Sequence, residues 1–148
     1  MTLFELIRAI ERIAAEQPTV NMIVENDIYK LEEYPSAKYG VFGFRQVEHT
    51  SNVESAMVQY GFEFYYVDRL EDDRSNQVEV QSVGMQTLDN IVRRLVEEED
   101  VAVEDCRFTP FRQQFVDVCS GVICALTIGA ERDMMCAVEN VERNVEVI

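Results

Sequence analysis

The sequence predicts an α+β domain, a mainly antiparallel sheet flanked by two helices in the order α-β-β-β-α-β-β, followed by a C-terminal arm. Three observations predict it. Two stretches carry apolar residues at helical spacing, one near the start and one in the middle. Between and after them, apolar and polar residues alternate with the period of strands that cover a core on one side. The chain has 148 residues, 47% of them hydrophobic, the size and apolar content of one packed core. Residues 1–130 are therefore read as a single domain and residues 131–148 as an extended acidic arm.

The first helix starts at a capping box, Thr2-Leu3-Phe4-Glu5, in which each side chain can bond the other residue's backbone N–H. Leu3, Leu6, Ile7, Ile10, Ile13 and Ala14 fall on its core face, Glu5, Arg8, Glu11, Arg12 and Glu16 on its wet face, and Pro18 ends it. From Val20 to Leu70 the chain is rich in Val, Ile, Tyr and Phe and is interrupted at Tyr34-Pro35-Ser36 and Thr50-Ser51-Asn52, which predicts three strands. The third is the clearest. Ala56, Val58, Tyr60, Phe62, Phe64 and Tyr66 share one face, and Gln59, Gly61 and Glu63 share the other. A strand from Val53 to Val67 would be about 50 Å long, more than a small domain pairs internally, so part of it is expected to project as a hairpin.

After the acidic turn at Glu71-Asp72-Asp73, Asp73 or Ser75 is placed to cap a second helix, with Val78, Met85, Leu88, Ile91, Val92 and Leu95 toward the core and Gly84 as an internal weak point. Its end, Glu97-Glu98-Glu99-Asp100, sets negative charge against the negative end of the helix dipole. Two strands follow, over Val101–Phe108 and Phe115–Ile128. The latter has Val116, Val118, Val122, Cys124, Leu126 and Ile128 on one face, and Gly121 marks a bulge or a close backbone approach. The arm holds Val138, Val141 and Val145 among acids, without a clear period. It reads as a segment that gains order by adding to a neighbour's sheet.

Formal charge is −15, from 28 acidic and 13 basic residues spread along the chain. Such a surface repels phosphate backbones, which argues against groove-tracking or sequence-specific nucleic-acid binding. No stretch approaches the about 20 apolar residues of a membrane span. The opening residues lack the basic region and cleavage site of a signal peptide, so the expectation is a protein that stays in the cytoplasm where it is made. The four cysteines, Cys106, Cys119, Cys124 and Cys136, include no Cys-x2-Cys pair, and the one histidine, His49, is far from them in sequence. They read as reduced, small hydrophobes rather than zinc ligands.

A search for catalytic arrangements finds no nucleophile elbow and no phosphate-binding loop. Gly40-Val41-Phe42-Gly43 has no helix behind it. His49, between Glu48 and Thr50, reads as a surface residue. The acidic runs lack the ligand spacing of a calcium loop and read as solvated faces. The expectation is no catalytic residues, no cofactor and no metal. The aromatic stripe from Tyr60 to Tyr66 lacks the interleaved basic residues of a base-stacking platform and reads as core. Tyr65 and Val67 on its opposite face hint at a protein partner.

Particular residues accompany this element order: Tyr34-Pro35 before a strand, the long strand Tyr60–Asp68, and Ser75-Asn76 opening a helix that holds Gln81-Ser82. Together they resemble the tail-terminator or tail-completion family of tailed bacteriophages. The stretch Phe111–Ile128, above all Phe115–Val122, also resembles neck and tail ring proteins of phages that infect gut Bacteroidetes, crAss-like phages among them. The likeness covers about Thr2 to Ile128. It implies a homo-oligomeric ring, six-fold or twelve-fold, in the neck or tail of the virion, with neighbouring portal, neck and tail proteins as partners and DNA passing through without specific binding. Residues expected at the subunit interface are Tyr60, Phe62, Tyr65 and Val67 on the hairpin and Val138, Val141 and Val145 on the arm. The alternative is a small regulatory or chaperone-like module that binds a peptide or protein. A metal-dependent enzyme using Asp72 and Asp73 ranks below both.

Overall fold

The structure, a computed structural model, describes residues 1–25, 38–71, 73, 75–112, 119–132, 146 and 148. Helix α1 spans Leu3–Ala15 and helix α2 spans Gln77–Glu99. The strands are β1 (Met22–Glu25), β2 (Val41–Ser51), β3 (Met57–Arg69), β4 (Ala102–Arg112) and β5 (Cys119–Glu131). They form one sheet in the order β1-β2-β3-β5-β4, antiparallel throughout except that β1 runs parallel to β2. The expected α+β class and element order are those observed.

Helix α1 begins where the capping box predicts. The Glu5 N–H donates to Thr2 Oγ1 at 3.2 Å, and the Thr2 N–H donates to Glu5 Oε2 at 3.0 Å. Two of the orphan donors of the first turn are thereby satisfied. Leu6, Ala9, Ile10, Ile13 and Ala14 are buried, and Leu3 and Ile7 pack partly against them. The helix stops at Ala15, ahead of Pro18.

The core lies between this helix, α2 and one face of the sheet. Register explains its composition. Phe42 lies opposite Tyr66 and Phe44 opposite Phe64 across β2 and β3. On β5, Val122, Cys124, Leu126 and Ile128 lie opposite Tyr66, Phe64, Phe62 and Tyr60. Side chains directly opposite each other share a face, so these rows stack as one apolar surface. The Phe42 and Phe64 rings meet edge-on at 5.5 Å, and Phe62 and Phe64 lie 5.9 Å apart. Each fully buried aromatic or aliphatic side chain here contributes about 1.5–3 kcal/mol by removal from water.

Helix α2 covers the far side of the same face with Val80, Gly84, Thr87, Leu88, Ile91, Val92 and Leu95. Its last four core positions are those the periodicity predicts, but Val78 and Met85 are 75% and 51% exposed. The reason is Gly84. A Cβ there would lie 3.0 Å from the Tyr66 ring and 3.3 Å from Val122, so the glycine, not Met85, is the point at which the helix touches the sheet. The cap also differs from expectation. Asn76 occupies the N-cap position without a side-chain cap bond. Its amide instead accepts from the Glu71 N–H at 2.8 Å and donates to the Arg69 carbonyl at 3.2 Å. Asp73 and Ser75 close the preceding turn, with the Ser75 N–H donating to Asp73 Oδ1 at 3.0 Å.

Strand β3 does not project. All thirteen of its residues are paired with β5, and most also with β2. The chain at 53–56 has already left the strand. Strand β4 runs past Phe108 to Arg112 and takes in Pro110, which an edge strand tolerates because its outward side needs no ladder donor. At Gly121 the ladder continues without a register shift, so the glycine marks a close approach: an added Cβ would lie 1.8 Å from the Tyr66 carbonyl oxygen.

Candidate assembly surface

The residues expected to meet another chain fall into two groups. Tyr60 and Phe62 belong to the main core under the helices. Tyr65 and Val67 lie on the opposite face of β3, in a second buried cluster with Val24, Val41, Phe111 and Cys119. None of the four is more than 9% exposed, which leaves them no surface to offer a neighbour. Apolar residues on both faces of β3 therefore reflect two covered faces within one chain. Val138, Val141 and Val145, like Val116 and Val118, lie outside the described residues.

Of the large apolar residues exposed among the described residues, Val78, Met85 and Val96 lie on α2, while Phe4, Val47, Val53 and Ile148 are scattered elsewhere. Val78 and Met85 stand on the outer face of α2, and with Gln81, Ser82, Phe108, Pro110 and Val122 they line a groove of about 350 Å³ between the helix and the edge strand β4. Side-chain hydrogen bonds join the walls of the groove. Buried Ser120 donates to the Phe111 carbonyl at 2.8 Å, and the Gln81 amide donates to Ser120 Oγ at 3.1 Å, tying helix, edge strand and β5 together. Helical periodicity had assigned Val78 and Met85 to the core. Their polar neighbours Gln77, Glu79, Ser82 and Gln86 are the sequence's hint of the outward face.

The acidic runs have structural partners. Arg12 donates to Glu99 at 2.8 Å, and Arg94 bonds both Glu98 and Glu16, so α1 and α2 are clasped by ion pairs at the end where the dipole alone would be opposed. Hydrogen bonds from Arg94 hold the Glu98 carboxyl below its ordinary range. Asp100 takes a left-handed conformation at the C-cap, with φ 54°. In the turn before α2, Glu71 accepts from Ser75 Oγ at 3.1 Å, and the hydrogen bonds from Ser75 hold the Asp73 carboxyl low. Asp72 lies outside the described residues. Among the described residues no group of three or more His, Cys, Asp or Glu is arranged to hold a metal. His49 is exposed, with Nε2 3.0 Å from Gln46 Oε1 and its ring edge-on to Tyr60 at 5.3 Å.

On the sheet face away from the helices, Gln59, Gly61, Glu63, Arg107 and Thr127 line a shallow concavity of about 500 Å³. The Gln59 Oε1 atom is buried there without a hydrogen-bond partner among the described residues. No described helix is long and apolar enough to cross a membrane. Neither the models of known protein families nor the curated proteins give a match to this sequence.

Proposed function

We propose that the chain is a structural subunit that assembles with copies of itself into a ring in the neck or tail of a bacteriophage particle. The observation that carries the reading is the groove between α2 and β4, with Val78 and Met85 exposed along it. A soluble domain that places large apolar side chains together on one side is built to cover them with protein. The element order, a sheet flanked by two helices, agrees with the fold that the phage resemblance implies. In a cyclic assembly one surface meets a different surface on the next subunit, so the groove needs a complementary patch elsewhere on the chain. A net charge of −15 suits a ring through which DNA passes, because few cations are offered to its phosphates.

Mass spectrometry and electron microscopy of particles from the phage that encodes the chain test the reading. The expected result is the chain at a six-fold or twelve-fold position between portal and tail; a chain absent from purified particles contradicts it. The same groove also fits a single peptide side chain, which favours a client-binding module as the second reading. Affinity capture separates them: a ring subunit recovers itself with portal or tail proteins, and a module recovers one soluble client.

A further inference from the structure

Two thiols of the main core, to which the proposed assembly gives no role, face each other across neighbouring strands. Cys106 on β4 and Cys124 on β5 stand with their sulfurs 3.3 Å apart, both unbridged. Their meeting has a cause in the backbone. The β4–β5 ladder shifts register between Glu104 and Arg107, where Asp105 adopts φ 53°, and the extra residue turns Cys106 onto the core face beside Cys124. Cys106 is partly exposed and Cys124 is buried. Burial first, then the adjacent Cys106 and Asp89, push the Cys124 thiol up, so it stays protonated and Cys106 is the sulfur that an oxidant meets.

We infer that Cys106 and Cys124 form an oxidisable pair, converted by a low-molecular-weight disulfide into a bridge that fastens edge strand β4 to β5. Cys106, as thiolate, attacks one sulfur of the oxidant. The oxidant's S–S bond breaks, and its other half leaves as a thiolate that takes up a proton. Cys124 then gives up its proton and attacks Cys106 Sγ, expelling the second half as a thiol. One disulfide is reduced to two thiols while two cysteine thiols become one disulfide, with two electrons passing between them. Closing the gap to a bond of about 2.05 Å requires β4 to yield. The bulge, where the ladder is already interrupted, is the place where it can.

The test is incubation of the native full chain with oxidised glutathione, then denaturation, alkylation and mass spectrometry. The expected result is the loss of two alkylatable thiols and a peptide pair joining Cys106 to Cys124. Cys106→Ser abolishes both, and Cys119→Ser leaves both unchanged. Four alkylatable thiols after treatment, a stable glutathione adduct on Cys106, or a bridge from Cys106 to a different cysteine overturns the inference. The wild-type peptide map decides without reliance on how any variant folds.

Discussion

At position 121 a single hydrogen is all the side chain the fold admits, because β5 there presses against the backbone of β3 at Tyr66. Gly121→Ala is expected to destabilise the chain by about 3 kcal/mol or more, since a rigid carbonyl rather than a flexible side chain stands in the way. Urea unfolding measures it. Tyr66 supplies a second case. Its hydroxyl donates to the Thr19 carbonyl at 3.3 Å, and burial, with Asp68 nearby, pushes its pKa up to about 12. A raised pKa means that the folded state holds the proton longer than the unfolded chain, whose tyrosine titrates near ~10. The contribution is fully present below that value and is lost as pH rises toward 12. Tyr66→Phe is expected to cost about 1 kcal/mol at neutral pH and to flatten the fall of stability in that window, as read by thermal melts. At this scale the sequence was legible where it marked an exception, the glycine inside an apolar strand. It was illegible at Tyr65 and Val67, because alternation tells which face a residue takes but not whether that face is covered.

Helix α2 shows what periodicity can and cannot carry. Its second half follows the predicted stripe through Leu88, Ile91, Val92 and Leu95, all buried, while in the first half the stripe runs through Val80, Gly84 and Thr87 instead of Val78 and Met85. A glycine and a threonine have too little apolar character to be read as core. Yet Gly84 sets the distance to Tyr66, and Thr87 Oγ1 meets Thr19 Oγ1 at 2.6 Å while donating to the Val83 carbonyl. Alanine substitution tests the phase: Leu88→Ala is expected to cost about 2–5 kcal/mol, and Val78→Ala or Met85→Ala no more than about 0.5 kcal/mol. The clasp between the helix ends makes a different demand. Arg94 pairs with Glu16 and Glu98 at the surface, so Arg94→Gln is expected to lower the thermal midpoint at low salt and to lose that effect in concentrated salt. Because the Glu98 carboxyl is held low, its contribution is present above the ordinary glutamate range and fades as pH falls below it. In β4, Pro110 concealed the strand's length, since a proline reads as a break until the strand is known to lie at an edge.

For the whole molecule, the order of elements and the main core under the helices were readable from two periods and a size, because both follow from which residues avoid water. Which apolar residues stay on the surface was not, because an exposed valine and a buried one are the same letter until the helix phase is known. The groove beside α2 now carries the account's central claim, that copies of this chain join one another through it. Replacing Val78 and Met85 by glutamate adds charge at two exposed positions, so the fold is expected to survive while association fails. The most direct test is light scattering coupled to size-exclusion chromatography on the intact chain across a wide concentration range, with the Val78→Glu, Met85→Glu double variant beside it. The expected result is a closed assembly of six or twelve copies that the double variant reduces to monomer with its circular dichroism unchanged. An assembly that forms equally well in the double variant, or a monomer at every concentration, contradicts it.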